Sequence, residues 1–411
     1  MSSQTAPSIV SRIAHATRAA VSHRAADESW WSALEPGFHK RPESFDLRLR
    51  DRVLVGASAA SDVVVRTLGA TVVGALAVPL GYHPMELRRA IADRRIYNTA
   101  AAAGDPAIFF PRPPMGVQMK VRRVRFPFFR PGDGSCYDLS FESPFEPFNP
   151  RVRARYLSHR ANQTAHARYW RHEGGPRPTI IAVHGFGAEQ HWLNVWFQAL
   201  RWMYGTGSNV LHFTLPFHGP RQIRLSPFSG YGFFSGGICR INEAFGQAVH
   251  DARVFMDYLM GTECSPQVGV TGVSLGGFTS ALLASSDSRL SFSVPIVPVT
   301  SLADLVMEWH PISFGVRSLL KAIGATVSDA RQALAVSSPL TYAPLLPKEH
   351  LMVVGGVGDR LAPPKHSRLL WDHWERCRIH WFPGSHLLHM DKGDYLREIG
   401  RFMRDVGFLT P

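Results

Sequence analysis

The sequence predicts an α/β protein: a mostly parallel central sheet with helices on both faces, preceded by a mainly helical N-terminal extension. Three observations predict it. Short apolar, β-branched runs recur at 179–183, 209–214, 268–273, 291–297, 351–356 and 378–382. Most gaps between them carry helical periodicity, at 190–204, 242–260, 276–285 and 365–376, as does 391–405 after the last run. Within 242–260, Phe245, Ala248, Val249, Ala252, Phe255, Met256 and Leu259 form one apolar stripe of helical period. The third observation is that several runs end in glycine-containing turns that carry Ser, Asp or His, as strands do where they leave a parallel sheet.

The elements follow in order. Residues 1–26 hold no acidic side chain and carry Arg12, Arg18 and Arg24 among Ala and Ser. A frayed helix is the expectation, with a transit-like segment as the alternative. Residues 63–82 are the most apolar stretch, but Arg66 interrupts them. The uncharged remainder, 68–82, spans roughly 23 Å as a helix, short of a bilayer core of about 30 Å. With Pro79 and three glycines inside it, a buried or interfacial helix is expected. From 104 to 150 the chain is rich in Pro and aromatics, a linker into an antiparallel lead-in with strands at 119–126, 137–141, 152–157 and 164–170. The parallel core follows. This divides the chain into a basic extension, 1–115, and a core unit, 116–411, with insertions at 217–240 and 300–348. Phe217, Phe228, Tyr231, Phe233 and Phe234 in the first insertion suit either an apolar pocket or packing under a long loop.

Composition narrows the function. With 411 residues, 45% hydrophobic and 19% charged, the chain reads as globular. Cys136, Cys239, Cys264 and Cys377 show no paired ligand spacing, and no H-E-x-x-H occurs, so no metal is expected. No phosphate-cradling glycine loop follows a strand, so no nucleotide and no cofactor is expected. The net charge of +13 is uneven: residues 1–130 hold 19 Lys and Arg against 10 Asp and Glu. A solvated basic face is the first reading, weak contact with an anionic membrane the second, and nucleic acid is not expected. Lys120, Arg122, Arg123 and Arg125 alternate with valine on a strand-like stretch, so they point to both faces and make no single patch.

Residues 268–277 place Ser274 at the centre of a G-x-S-x-G sequence, Gly272-Val273-Ser274-Leu275-Gly276. The spacing alone is weak, but it sits between a strand and a helix. A sharp turn there lifts the hydroxyl out of the chain, and small residues on either side leave it room. A nucleophilic serine needs a base, a group that orients the base, and donors for an oxyanion. The turn His184-Gly185-Phe186-Gly187 after 179–183 offers the Phe186 N–H, and the Leu275 N–H follows the serine. Asp359 lies in the loop after 351–356, with Asp304 in reserve. His386 follows 378–382, ahead of His380, which sits inside that strand, and His389, placed in a following helix.

These motifs, in the order Ser, Asp, His at the ends of separate strands, resemble those of the α/β-hydrolase superfamily over about residues 116–405. The resemblance implies hydrolysis of a carboxylic ester through an acyl-enzyme. Ser274 would be the nucleophile, His386 the base, Asp359 its orienting acid, and Phe186 and Leu275 the oxyanion donors. The expected partner is a small acyl ester, and the expected location is cytoplasmic, with membrane association as the alternative. An acyltransferase or amidase would use the same residues, and a non-catalytic membrane-surface protein on this scaffold is the reading from another class. Two departures bear on substrate. Phe186-Gly187 stands where some lipases carry a longer glycine run, and Thr214-Leu215-Pro216-Phe217-His218-Gly219 does not tie the chain to a characterised subfamily.

Overall fold

In the computed structural model, residues 29–81, 84–390 and 392–410 are described, and the expectation for 1–26 lies outside them. The strands are β1 Lys120–Arg123, β2 Gly134–Glu142, β3 Thr164–His172, β4 Thr179–Val183, β5 Asn209–Thr214, β6 Val268–Val273, β7 Leu290–Ile296, β8 Met352–Gly356 and β9 Arg378–Phe382. They form one sheet in the order β1-β2-β3-β5-β4-β6-β7-β8-β9. The first three strands and the β3/β5 pair are antiparallel, and every pairing from β5 through β9 is parallel. The antiparallel lead-in and the parallel core are both as the sequence predicts.

The main helices are α1 Leu49–Gly81, α2 Pro84–Ala102, α3 Pro150–Leu157, α4 His191–Phe197, α5 Leu200–Gly205, α6 Gly237–Gly261, α7 Leu275–Ala284, α8 Leu302–Glu308, α9 Ile312–Ala322, α10 Val327–Leu334, α11 Pro364–His373 and α12 Lys392–Asp405. Strand side chains alternate between the two faces, so Ile181, Val183, Val268 and Val270 join a core with α6 and α7. Ile180, Ala182, Val210 and Val294 join the opposite core, with α5 and α12. Because both faces are covered, the central strands β4 and β6 read as near-continuous apolar runs rather than as alternation.

Two local expectations need correction. Residues 152–157 alternate like a strand but form α3. Asn149 caps it, its side chain accepting from the Arg151 N–H at 2.9 Å, and Pro150 occupies the first helical position. The span 190–204 is two helices, because Ala199 takes a left-handed conformation with φ 56°. Neither Gly nor Pro announces that break.

The N-terminal segment is packed into the rest of the chain. Trp31, Tyr97, Ala100, Ile108, Phe109 and Phe110 belong to the same core as α6. Tyr97 donates to the buried Glu243 at 2.7 Å, and Glu243 also accepts the Phe148 and Asn149 N–H groups. Arg331 donates to the Leu34 and Glu35 carbonyls, and Lys365 to that of His39. Helix α1 is longer than the apolar stretch suggested. By length and composition its 51–72 part is able to cross a membrane. Yet one side buries Val55, Ser58, Ala59, Asp62 and Ala70 at helical spacing, while Val53, Val64, Leu68 and Val72 face outward.

Candidate active site

Four loops converge on one edge of the sheet because β4, β6, β8 and β9 run parallel and all end there. The turn after β6 carries Ser274. Its φ of 59° and ψ of −114° are unfavourable for a residue with a Cβ and cost about 1–3 kcal/mol. Packing imposes that conformation. The Ser274 N–H donates to Ile296 at the end of β7, and its carbonyl accepts from Phe278 inside α7, both at 2.9 Å. A Cβ on Gly272 would lie 2.4 Å from the Gly276 backbone, and one on Gly276 would lie 2.1 Å from the Val183 carbonyl. Both positions therefore require glycine. Every residue from 268 to 287 is buried except Ser274, so the turn presents one hydroxyl to the surface of an otherwise closed strand–helix unit.

The turn after β4 lies against it. A Cβ on Gly185 would meet the Val273 carbonyl at 3.4 Å and the Ser274 Cβ at 3.6 Å. Buried His184 holds this turn in place. Its Nδ1 faces the Gly185 carbonyl at 2.7 Å, and its Nε2 accepts the Leu215 N–H at 3.0 Å. That pattern needs a neutral imidazole, and burial pushes its pKa down to about 4. The N–H groups of Phe186 and Leu275 make no hydrogen bond among the described residues. They are the donors the sequence proposed for an oxyanion.

The loops after β8 and β9 bring Asp359 and His386 together. His386 Nδ1 lies 2.7 Å from Asp359 Oδ2. The other oxygen of Asp359 accepts the Leu361 and Ala362 N–H groups at 2.9 and 2.7 Å. So Asp359 serves its own turn and faces the histidine at once. Both side chains are buried. Burial pushes the Asp359 carboxyl up, partly offset by the facing imidazole. Burial pushes His386 down, but the Asp359 charge and hydrogen bond, with Asp62 behind them, outweigh it and leave its pKa raised. With Nδ1 on Asp359, Nε2 is the nitrogen left for chemistry. Ser274 Oγ and His386 are not hydrogen-bonded to each other.

The reserve residues are placed elsewhere. Asp304 makes a two-pronged ion pair with buried Arg331, at 2.6 and 2.8 Å, and accepts from Ser301. His380 is within β9. His389 lies before α12 rather than in it, bridging back to Gly384. We expect Asp304→Asn to lower thermal stability, since breaking a buried pair costs about 3–5 kcal/mol, and to leave any ester turnover of the folded protein near wild type. Asp359→Asn should do the reverse. A dead Asp304→Asn beside an active Asp359→Asn would exchange the two assignments. The aromatics of 217–240 differ in burial and contacts. Phe217 and Phe233 are fully buried packing residues, whereas Phe228 and Phe234 are half-buried and meet the Phe186 ring at 6.1 and 5.1 Å.

No family model matches the chain. Two proteins of Mycobacterium tuberculosis do, Uncharacterized protein Rv2627c and Uncharacterized protein MT2702. Each is 30% identical over 319 residues, covering 74% of this chain and 74% of the relative. The chain belongs to the Rv2627c family. Among solved structures it is similar to acetyl xylan esterase 1 from Thermoanaerobacterium sp. JW/SL YS485, with TM-score 0.51 and 15% identity over 76% of this chain and 93% of that one. It is also similar to the acetyl xylan esterase from Paenibacillus sp. R4, with TM-score 0.52 and 14% identity over 76% and 94%. At that identity the likeness shows the fold, which is the α/β-hydrolase fold.

In this member of the Rv2627c family, one residue at the site went unread in the sequence. Asp62, on α1, is fully buried and accepts the His386 N–H at 2.8 Å and the Arg360 N–H at 3.1 Å. A single Asp inside an apolar run gives no signal of its target. The period-3.6 burial of Val55, Ala59 and Asp62 on one side was the available hint, and it shows only once the helix is seen to extend back to Leu49.

Proposed function

We propose that the chain is a serine hydrolase that cleaves a carboxylic ester through an acyl-enzyme. The observation that carries this reading is the His386–Asp359 pair, set on the same sheet edge as the one accessible residue of the 268–287 unit. Ser274 Oγ attacks the ester carbonyl carbon while His386 Nε2 takes its proton. The carbonyl oxygen becomes an oxyanion held by the Phe186 and Leu275 N–H groups. The C–O bond to the alcohol then breaks, and the His386 imidazolium protonates the leaving oxygen. Water repeats the sequence on the acyl-enzyme, releasing the carboxylic acid and restoring Ser274. Asp359 holds the Nδ1–H tautomer and stabilises the imidazolium. Phe186, Phe228 and Phe234 supply an apolar wall suited to an acyl chain.

Labelling with a fluorophosphonate, followed by a p-nitrophenyl ester series of rising acyl length, tests the reading. Expected is a single adduct on Ser274 and measurable ester turnover. An adduct on another residue, or none together with no turnover, would remove it.

The pH profile carries a signed expectation. His386 must be neutral to act as base, and its pKa is raised. So kcat/KM should rise with pH through an apparent pKa above the ordinary histidine value of about 6.5. A profile flat from pH 5 to 9, with chemistry rate-limiting, counts against His386 as the base.

A further inference from the structure

We propose that Asp62 is a positioning residue of this site: from α1 it ties the loop carrying Asp359 to the loop carrying His386, and its charge favours the imidazolium that forms during turnover. The proposal rests on the serine-hydrolase reading and extends it to a segment outside the sheet.

The geometry is specific. One oxygen of Asp62 accepts the N–H of His386 at 2.8 Å and that of Arg360, the residue after Asp359, at 3.1 Å. The other oxygen lies 3.4 Å from the Leu387 N–H. A single carboxylate thus spans two loops, 298 and 324 residues away in sequence. Neighbouring contacts hold the helix in register. Arg66, one turn on, donates to the Arg360 carbonyl at 3.0 Å. A Cβ on Gly358 would strike both Val55 Cγ1 and the Gly384 carbonyl at 2.9 Å, so glycine there lets α1 reach the acid loop.

The charge itself needs a reason. Asp62 is fully buried and no cation lies within ion-pair distance of it among the described residues, although Arg66, one turn on, feels its charge. Backbone N–H groups alone are satisfied by a neutral amide oxygen, without the desolvation cost of an ion. A negative charge becomes useful where a positive one forms nearby, and His386 gains one in each half-reaction. The charged or titratable groups around this pair are Asp359 on the β8 loop, Asp62 and Arg66 on α1, Arg360 beside Asp359, and His389, whose Nε2 faces the His386 carbonyl at 3.1 Å. Of these, Asp359 and Asp62 raise the pKa of His386.

The charge and the hydrogen bonds are separable by mutation. Asp62→Asn keeps an oxygen for the His386 and Arg360 N–H groups and removes the charge, whereas Asp62→Ala removes both. The His386 ring is titrated by NMR in a Ser274→Ala background, where no turnover is needed. Expected is a lower His386 midpoint in Asp62→Asn with the fold retained. In the active enzyme the acid limb of kcat/KM moves to lower pH by the same amount. Asp62→Ala should lose about 10–100-fold in kcat with KM little changed, as displaced catalytic groups do. A folded Asp62→Asn whose His386 titrates as in wild type overturns the proposal. An inactive wild type with the expected titration instead overturns the hydrolase reading and leaves Asp62 in place. If neither variant folds, amide exchange in the wild-type protein decides. The Arg360 and His386 amides should exchange only as slowly as the inner amides of α1; faster exchange breaks the proposed tie.

Discussion

Ser274→Ala should reduce kcat by about 10⁴-fold or more while melting temperature and circular dichroism stay near wild type. The reasoning is local. The hydroxyl makes no hydrogen bond that holds the turn, since the strained backbone is fixed by the Ile296 and Phe278 contacts of the main chain and by the crowding around Gly272 and Gly276. Removing the oxygen therefore removes the proposed nucleophile and little else. On the proposed mechanism what remains is the Phe186 and Leu275 N–H groups and the binding surface, which leave only residual acceleration. Steady-state kinetics and fluorophosphonate labelling on the purified variant check this. Retained turnover with retained labelling would place the nucleophile elsewhere.

Deleting residues 1–115 should leave a 116–411 fragment that aggregates and lacks activity. Trp31, Tyr97, Ile108, Phe109 and Phe110 are buried in the core shared with α6. At about 1.5–3 kcal/mol for each large apolar side chain, their loss is comparable to a typical whole-domain stability of about 5–15 kcal/mol. The deletion also takes the Tyr97 hydroxyl from buried Glu243 and Asp62 from the loops that carry Asp359 and His386. The competing expectation is that the basic segment is a membrane anchor and the rest an independent enzyme. Val53, Val64, Leu68 and Val72 on the outward face of α1 give that view its footing. Liposome co-sedimentation of both proteins at two salt concentrations separates the two. Electrostatic binding is screened over about 8 Å at physiological salt, so it should fall as salt rises. A soluble, active 116–411 fragment, with salt-sensitive pelleting of the full chain, would reverse the assignment.

The sequence by itself determined what depends on neighbours along the chain. Strands β4 and β6 are legible because burial on both faces makes them continuous apolar runs. The Ser274 turn is legible because glycine on either side is a local steric need. The α6 stripe is legible because helical period is a one-dimensional signal. Tertiary structure decided what depends on distance through space. Asp359 and Asp304 both follow strands, and the sequence only ranked Asp304 second; one faces His386 and the other is neutralised by Arg331, from α10. The strand-like alternation of 152–157 yielded to a cap at Asn149, because a single capping hydrogen bond and a proline outweigh a weak pattern. Asp62 is the extreme case. In one dimension it is a charge breaking an apolar helix, and its meaning comes from two loops some 300 residues away, which the parallel sheet brings to the same edge.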